Sequence, residues 1–394
     1  MKNLSLAVAT LLSISSISTL SAEQTLPNGW TLEGNWRTAY ISDDGDSYEK
    51  EVHDFATGGW ITLMTPEVKT FKAGITLLTA QPLLGQNKNG WLTDNKEGQE
   101  FTSFSYISEA YLTGTVFGNT SVILGRKVID TPFANPDDIG MAPNSFEVYL
   151  VQSKDIENVT LTAGRVTKMA GHDAPSKGEF QDLTKGDGVS VVALNYSNEK
   201  QGLDAQAWYY NLNNVADPVD LGIVYGDFSY GKELSDKMKL TVGGQFAQYK
   251  QKDGASDDGS VVGAKADLEI ADGTLGVAYN GADGDIAPNN GFGGGPFYTS
   301  SDILTIVSTD KKSSALQFSA GYNLNEKTSL TSRFTTFTPD KGDDLTELDV
   351  LLSYAHNDNL SLDVYFESYK VYQDDTKVGT DNNTEYSLFV NYKF

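Results

Sequence analysis

The sequence predicts an all-β chain: a transmembrane antiparallel β-barrel of about eighteen strands, with short periplasmic turns and long external loops. Three features of the 394 residues carry this reading. Side chains alternate between apolar and polar in one segment after another. The connections between segments alternate between short and long, and the chain ends on an amphipathic strand whose last residue is aromatic. Successive side chains of a strand point to opposite faces, so a period of two sets one face against an apolar surrounding and the other against water.

The first segment starts at Thr31, with Leu32, Gly34, Trp36, Thr38 and Tyr40 on one face and Glu33, Asn35 and Arg37 on the other. Strands are then expected at Phe55–Met64, Val68–Thr79, Phe104–Thr115, Asn119–Lys127, Phe146–Ser153 and Val159–Lys168. Gly188–Tyr196, Leu203–Asn211, Leu221–Tyr230, Met238–Tyr249, Val261–Ile270 and Thr274–Asn280 follow. Ala315–Tyr322, Thr328–Phe337, Leu345–His356, Leu360–Tyr369 and Glu385–Phe394 complete the series.

Short connections such as Pro66-Glu67, Phe117-Gly118, Gly231–Lys237, Ala271–Gly273 and Asn357–Asn359 take turns with long, acidic ones. Among the long ones are Ser42–Asp54, Ala80–Ser103, Val128–Ser145, Met169–Asp187, Gly281–Ser313 and Lys370–Thr384. A soluble sandwich has no reason to sort its loops by length, whereas an outer-membrane barrel does. Tyr322, Tyr354, Phe366, Tyr392 and Phe394 lie near strand ends on apolar parity, where interfacial girdles form.

In the last strand Tyr386, Leu388, Val390, Tyr392 and Phe394 share one parity, and Glu385, Ser387, Asn391 and Lys393 the other, with Phe389 as an apolar intruder. It resembles the closing strand of bacterial outer-membrane barrels. That resemblance implies recognition by the barrel assembly machinery and pairing with the strand near Thr31. Phe394 is expected to face outward at the periplasmic rim.

Composition narrows the function classes. With 29 Lys and Arg against 53 Asp and Glu, the formal charge is −24, which repels phosphates and argues against nucleic acid. Without cysteine there is no disulfide framework and no zinc-thiolate site. The 20 Tyr, 18 Phe and 5 Trp separate the chain from acidic disordered proteins. A mean hydropathy of −0.33 suits a barrel, because half of every strand faces a watery lumen. The sequence holds no apolar run long enough for a membrane helix, which takes about eighteen residues.

Met1–Ala22 reads as a signal peptide: Lys2, an apolar stretch from Leu4 to Leu20, then Ser21-Ala22 before Glu23. Residues 23–394 are then expected to form a single barrel domain, with too few residues ahead of the first strand for a plug.

Gly125-Arg126-Lys127-Val128-Ile129-Asp130-Thr131-Pro132-Phe133, Met141-Ala142-Pro143-Asn144-Ser145-Phe146-Glu147 and Leu161-Thr162-Ala163-Gly164-Arg165 carry a more specific likeness. Over about residues 119–168 the chain resembles the OprD family of outer-membrane porins, especially the shorter epsilonproteobacterial members. The resemblance implies a bacterial outer-membrane channel that carries ions and small polar solutes passively. It also implies a third external loop, here 130–144, that folds inward and narrows the lumen.

In that loop Pro132, Pro136 and Pro143 stiffen the backbone, and Asp130, Asp137 and Asp138 would place charge at the narrowing. Thr131 follows the first of these acids, and Phe133 would pack the loop against the wall. The family likeness further implies a basic pore lining. Arg37 and Arg333 have lumenal parity; Arg126 and Arg165 share parity with apolar neighbours. Either those two sit at the rim, or bulges at Gly125 and Gly164 turn them inward. A lipid-facing arginine at mid-membrane would cost about 2–4 kcal/mol.

The acidic loops Asp43-Asp44-Gly45-Asp46, Asp257-Asp258-Gly259 and Asp283-Gly284-Asp285 lack the ligand spacing of a dedicated calcium site, so no metal and no cofactor is expected. Outer-membrane lipid, lipopolysaccharide and small polar solutes are the expected partners. A homotrimer and a monomer preserve the same lipid-facing alternation. Competing classes are an adhesin or surface-receptor barrel and an outer-membrane enzyme. Catalysis finds little support: His53, His172 and His356 are scattered, and neither Gly-x-Ser-x-Gly nor His-Glu-x-x-His occurs.

Overall fold

The computed structural model describes residues 24–45, 52–83, 91–96, 99–216, 219–252, 257–372 and 379–394; the expected signal peptide lies outside them. Eighteen strands form a closed antiparallel barrel. In chain order they are β1 Thr31–Asp43, β2 Val52–Met64, β3 Phe71–Pro82, β4 Phe104–Phe117, β5 Thr120–Lys127 and β6 Ser145–Ser153. Next come β7 Val159–Ala170, β8 Val189–Asn198, β9 Leu203–Ala216, β10 Val219–Ser235, β11 Met238–Gln251 and β12 Asp258–Ile270. The last six are β13 Gly273–Gly284, β14 Ser313–Asn325, β15 Thr328–Pro339, β16 Asp344–Ala355, β17 Leu360–Tyr372 and β18 Gly379–Lys393.

Each strand pairs with its chain neighbours, and β18 returns to β1 in the register Asn35↔Lys393 to Asp43↔Glu385. At the turn-side end Gly34 and Phe394 exchange backbone hydrogen bonds of 2.8 and 3.0 Å. The Phe394 ring occupies the space over Gly34, where a Cβ would come within 2.5 Å of it. It shares the parity of outward-exposed Tyr386 and Tyr392 and stacks on Tyr392. Among the described residues closure leaves the barrel no edge strand, and in hydrocarbon each unpaired backbone group would cost several kcal/mol.

Two boundaries differ from expectation. The third strand runs Phe71–Pro82 rather than Val68–Thr79, because Val68 and Phe71 bond each other across a tight turn with Lys69 at φ +60°. The expected turn at Gly231–Lys237 is mostly strand: β10 continues to Ser235 and β11 begins at Met238.

The two halves of the lumenal wall differ in chemistry. Around β6–β11 the inward side chains include an apolar cluster with Phe146, Val148, Val191, Tyr210, Ile223 and Tyr249, beside polar groups such as Gln245. Around β15–β18 and β1 more of them are polar or charged, including Arg333, Asp349, Glu367, Asn391 and Asn35, with Phe389 and Ala39 among them.

Candidate functional site

Arg37 rises from the inward parity of β1, between buried Asn35 and Ala39. Its guanidinium grips Asp138 with two bonds of 2.7 and 3.0 Å, a fork-to-fork pairing that fixes orientation as well as charge. It also donates to the Gly140 carbonyl and, from Nε, to Asn391 Oδ1 at 2.8 Å. Phe389, the apolar residue on the polar parity of the last strand, lies under this group. Its ring centre is 5.5 Å from the Arg37 Cζ, and it packs in one cluster with Met141 and Ala142. The intruder is therefore a lumenal platform for an arginine and for the 128–144 segment.

Phe133 is 2% exposed and meets Tyr210, Tyr225, Tyr249 and Phe297 edge-on, at centroid distances of 5.4 to 6.3 Å. These contacts draw on β9, β10 and β11, far around the barrel from β1. Beside Phe133, Thr131 and Ala134 close a short turn. Asp130 and Pro132 line a cavity shared with Asp137. Asp137 sits at φ +37°, a strained setting for a residue with a side chain. Burial, reinforced by the charge of nearby Asp173, pushes its pKa up to about 8. Neighbouring His172 is lowered, chiefly by burial.

The 285–312 connection, which the sequence reading left as an external loop, is tied to lumenal side chains along its length. Gln245 donates to the Pro296 carbonyl and accepts from the Tyr298 N–H, each at 2.8 Å. Asn280 takes the Thr299 N–H at 3.0 Å. Glu347, fully buried, takes the N–H groups of Ile303 and Leu304 at 2.8 and 2.7 Å. Arg333 reaches Asp302 at 2.6 Å and Asp349 at 3.1 Å. The sequence did carry a signal: Gln245, Asn280, Gln317 and Glu347 are long polar groups on inward parity, and such groups must find partners once buried.

Two cavities, of about 490 and 610 Å³, share Ile139 of one segment and Asp302 and Ile303 of the other. The first is lined by Asp138, Asp302, Asp363, Glu367 and Glu385, against Arg37 and Lys393. The second has Asp130, Asp137, Asp173, Asp227 and Asp302 against Lys265 and Arg333.

Arg126 and Arg165 require a correction. Gly125 has φ +115° and approaches the Ala110 carbonyl so closely that a Cβ would lie 2.3 Å from it, yet no residue is inserted there. Both glycines pair one-to-one with their neighbours, so no bulge turns the arginines inward. Arg126 stays on the parity of exposed Leu124, 4.2 Å from the Phe180 ring and 3.8 Å from Glu147. Arg165 reaches Asp187 at 3.4 Å. Phe180 and Asp187 belong to the 171–188 connection, so both arginines close the loop-side rim rather than line the channel. His53 lies beside Tyr40, His356 beside Tyr354, and His172 lines the smaller cavity, so the histidines occupy three separate places.

The model of the OprD family of outer membrane porins matches residues 72–394. The chain belongs to the OprD family. It is thus an outer-membrane β-barrel of a bacterium. No curated protein matches by sequence. Among solved structures, OccK9 (OpdG) of Pseudomonas aeruginosa superposes with a TM-score of 0.78 at 15% identity, over 93% of this chain and 98% of that one. OccAB1 of Acinetobacter baumannii gives 0.75 at 16%, over 96% and 99%. OpdK of Pseudomonas aeruginosa, solved with vanillate, gives 0.74 at 16%, over 93% and 98%. At such identities the likeness establishes the fold of this OprD-family porin and leaves its solutes open.

Proposed function

We propose that this porin carries ions and small polar solutes passively, through a lumen narrowed by segment 130–144, and that it prefers cations. The observation that carries the reading is the bracing of one segment at both ends: Arg37 of β1 holds Asp138, while Phe133 is seated among Tyr210, Tyr225 and Tyr249 of β9–β11. A segment tied to two distant parts of a barrel wall spans the space between them. Segment 285–312, tied to Gln245, Glu347 and Arg333, narrows the same space from another side.

Charge supports the preference. In each cavity carboxylates outnumber basic groups, and Arg37 and Arg333 are already committed to Asp138 and to Asp302 with Asp349. Pores select by width, lining charge and hydrogen-bonding groups, and this lining favours positive solutes. Vanillate, bound by OpdK, is a carboxylate; the acidic lining here points to the opposite charge. No step of this function calls for a catalytic residue, a metal or a cofactor.

Conductance of the refolded barrel in planar bilayers tests the reading. Discrete steps with a cation-selective reversal potential are expected. A barrel that inserts without steps is an adhesin or receptor rather than a channel.

A further inference from the structure

Four carboxylates stand side by side across the wall. Register sets Asp349 opposite Glu367, Glu367 opposite Glu385, and Glu385 opposite Asp43, with Arg333 beside Asp349 at one end. Like charges directly opposite one another destabilise a sheet, so such a row calls for a reason. Neighbouring strands are about 4.8 Å apart, and the four carboxylates span about 14 Å. Arg333 serves the Asp349 end, yet among the described residues no salt bridge reaches Glu367 or Glu385. Instead the carboxyl of Asp302 comes within hydrogen-bonding reach of Glu367, one acid against another.

Glu367 and Glu385 line the 490 Å³ cavity, a size within the range of about 300–1,000 Å³ common for small-molecule sites. A second observation points to its guest. Glu367 Oε2, Asn35 Oδ1 and His172 Nδ1 are buried around this cavity and receive no donated hydrogen bond among the described residues. Glu367 is only 5% exposed and Asn35 7%. The two carry unmet acceptors, and they lie far apart along the strands: Asn35 is near the turn side, whereas Glu367 shares its level with Asp43 at the loop-side end of β1. No three carboxylates converge as a metal ion would require among the described residues. The cavity therefore suits a long, thin cation with several N–H donors rather than a point charge.

We propose that this cavity binds linear aliphatic polyamines, with Glu367, Glu385 and Asp302 facing one ammonium end and Asp363, four residues or about 13 Å along β17 from Glu367, within reach of the chain beyond it. The assignment deepens the channel reading and rests on it.

Single-channel recording with spermine as the probe tests both. Spermine is expected to block the open channel in a voltage-dependent way. In Glu367→Gln and Glu385→Gln the half-blocking concentration rises by about tenfold or more, the scale of one lost charge-assisted contact. Glu326→Gln, at an exposed turn, leaves the block unchanged. Propylamine, with one ammonium group, and magnesium block far more weakly. Because the glutamine variants relieve repulsion at nearly constant shape, they should fold; calorimetric titration of spermine into the refolded barrels gives a second readout. A conducting barrel indifferent to spermine overturns the polyamine assignment and leaves the channel standing. Equal block by magnesium also overturns it. Absence of conductance overturns the channel reading and the assignment with it.

Discussion

Phe133 concentrates the packing of segment 128–144 in one side chain. Its ring touches four aromatic rings, and truncating a buried phenylalanine commonly costs about 3–5 kcal/mol. Phe133→Ala is expected to give a larger and noisier conductance, seen as excess current noise in single-channel traces, because the segment loses that hold. Arg333 offers a second test. It is 6% exposed and balances Asp302 and Asp349, so Arg333→Met leaves two acids facing each other. Removing one partner of a buried ion pair costs about 3–5 kcal/mol, and the midpoint of urea unfolding should fall accordingly. On the proposed function, Asp137 should make conduction sensitive to pH. Its carboxyl is neutral below about pH 8 and gains a charge above, so cation selectivity should rise as pH climbs through 8. Asp137→Asn should abolish that step in reversal-potential titrations. The folded value lies above the ordinary 3.8, so the folded state holds the proton more tightly. The linked stability is therefore full below 3.8 and declines as pH rises to about 8.

At the scale of elements, local alternation made the strands legible, and boundaries slipped where a turn or hairpin overrode it. Val68 looked like the start of a strand because it is apolar, but Lys69 at φ +60° turns the chain first. The closing strand was readable as a strand, whereas the role of Phe389 was not, since it depends on Arg37 and Tyr365 brought alongside by closure. For Arg126 and Arg165 the sequence offered the rim or an inward-turning bulge without deciding: a Gly-Arg pair suits a bulge or a regular strand, and only the register decides. Segment 285–312 was missed because its anchors, Gln245, Asn280, Gln317, Arg333 and Glu347, are single residues on five different strands, which no local pattern unites. Deleting Phe394 removes both backbone bonds to Gly34 and the stacking on Tyr392. Membrane assembly of that truncated chain is expected to slow markedly, as followed by heat-modifiable gel mobility.

For the whole molecule, the sign of the charge is its most consequential property. A formal −24 could reside wholly in solvated loops, where salt would screen it beyond about 8–10 Å. Here a share lies inside, in a row of carboxylates with one arginine at its end, and in two cavities divided by Ile139 and Ile303. Strand parity had placed Glu385 on the polar face; that it stands opposite Glu367, with Asp302 beside them, required the register of the closed sheet. On the proposed function, selectivity is thus expected to arise from the assembled barrel rather than from one loop. The reversal potential in a tenfold KCl gradient tests this most directly, measured for the intact porin and for Asp138→Asn. The intact channel should be cation-selective. The variant should shift toward anions, because it removes a carboxylate and frees Arg37. An anion-selective intact channel, or a barrel that inserts and passes no current, would contradict the account.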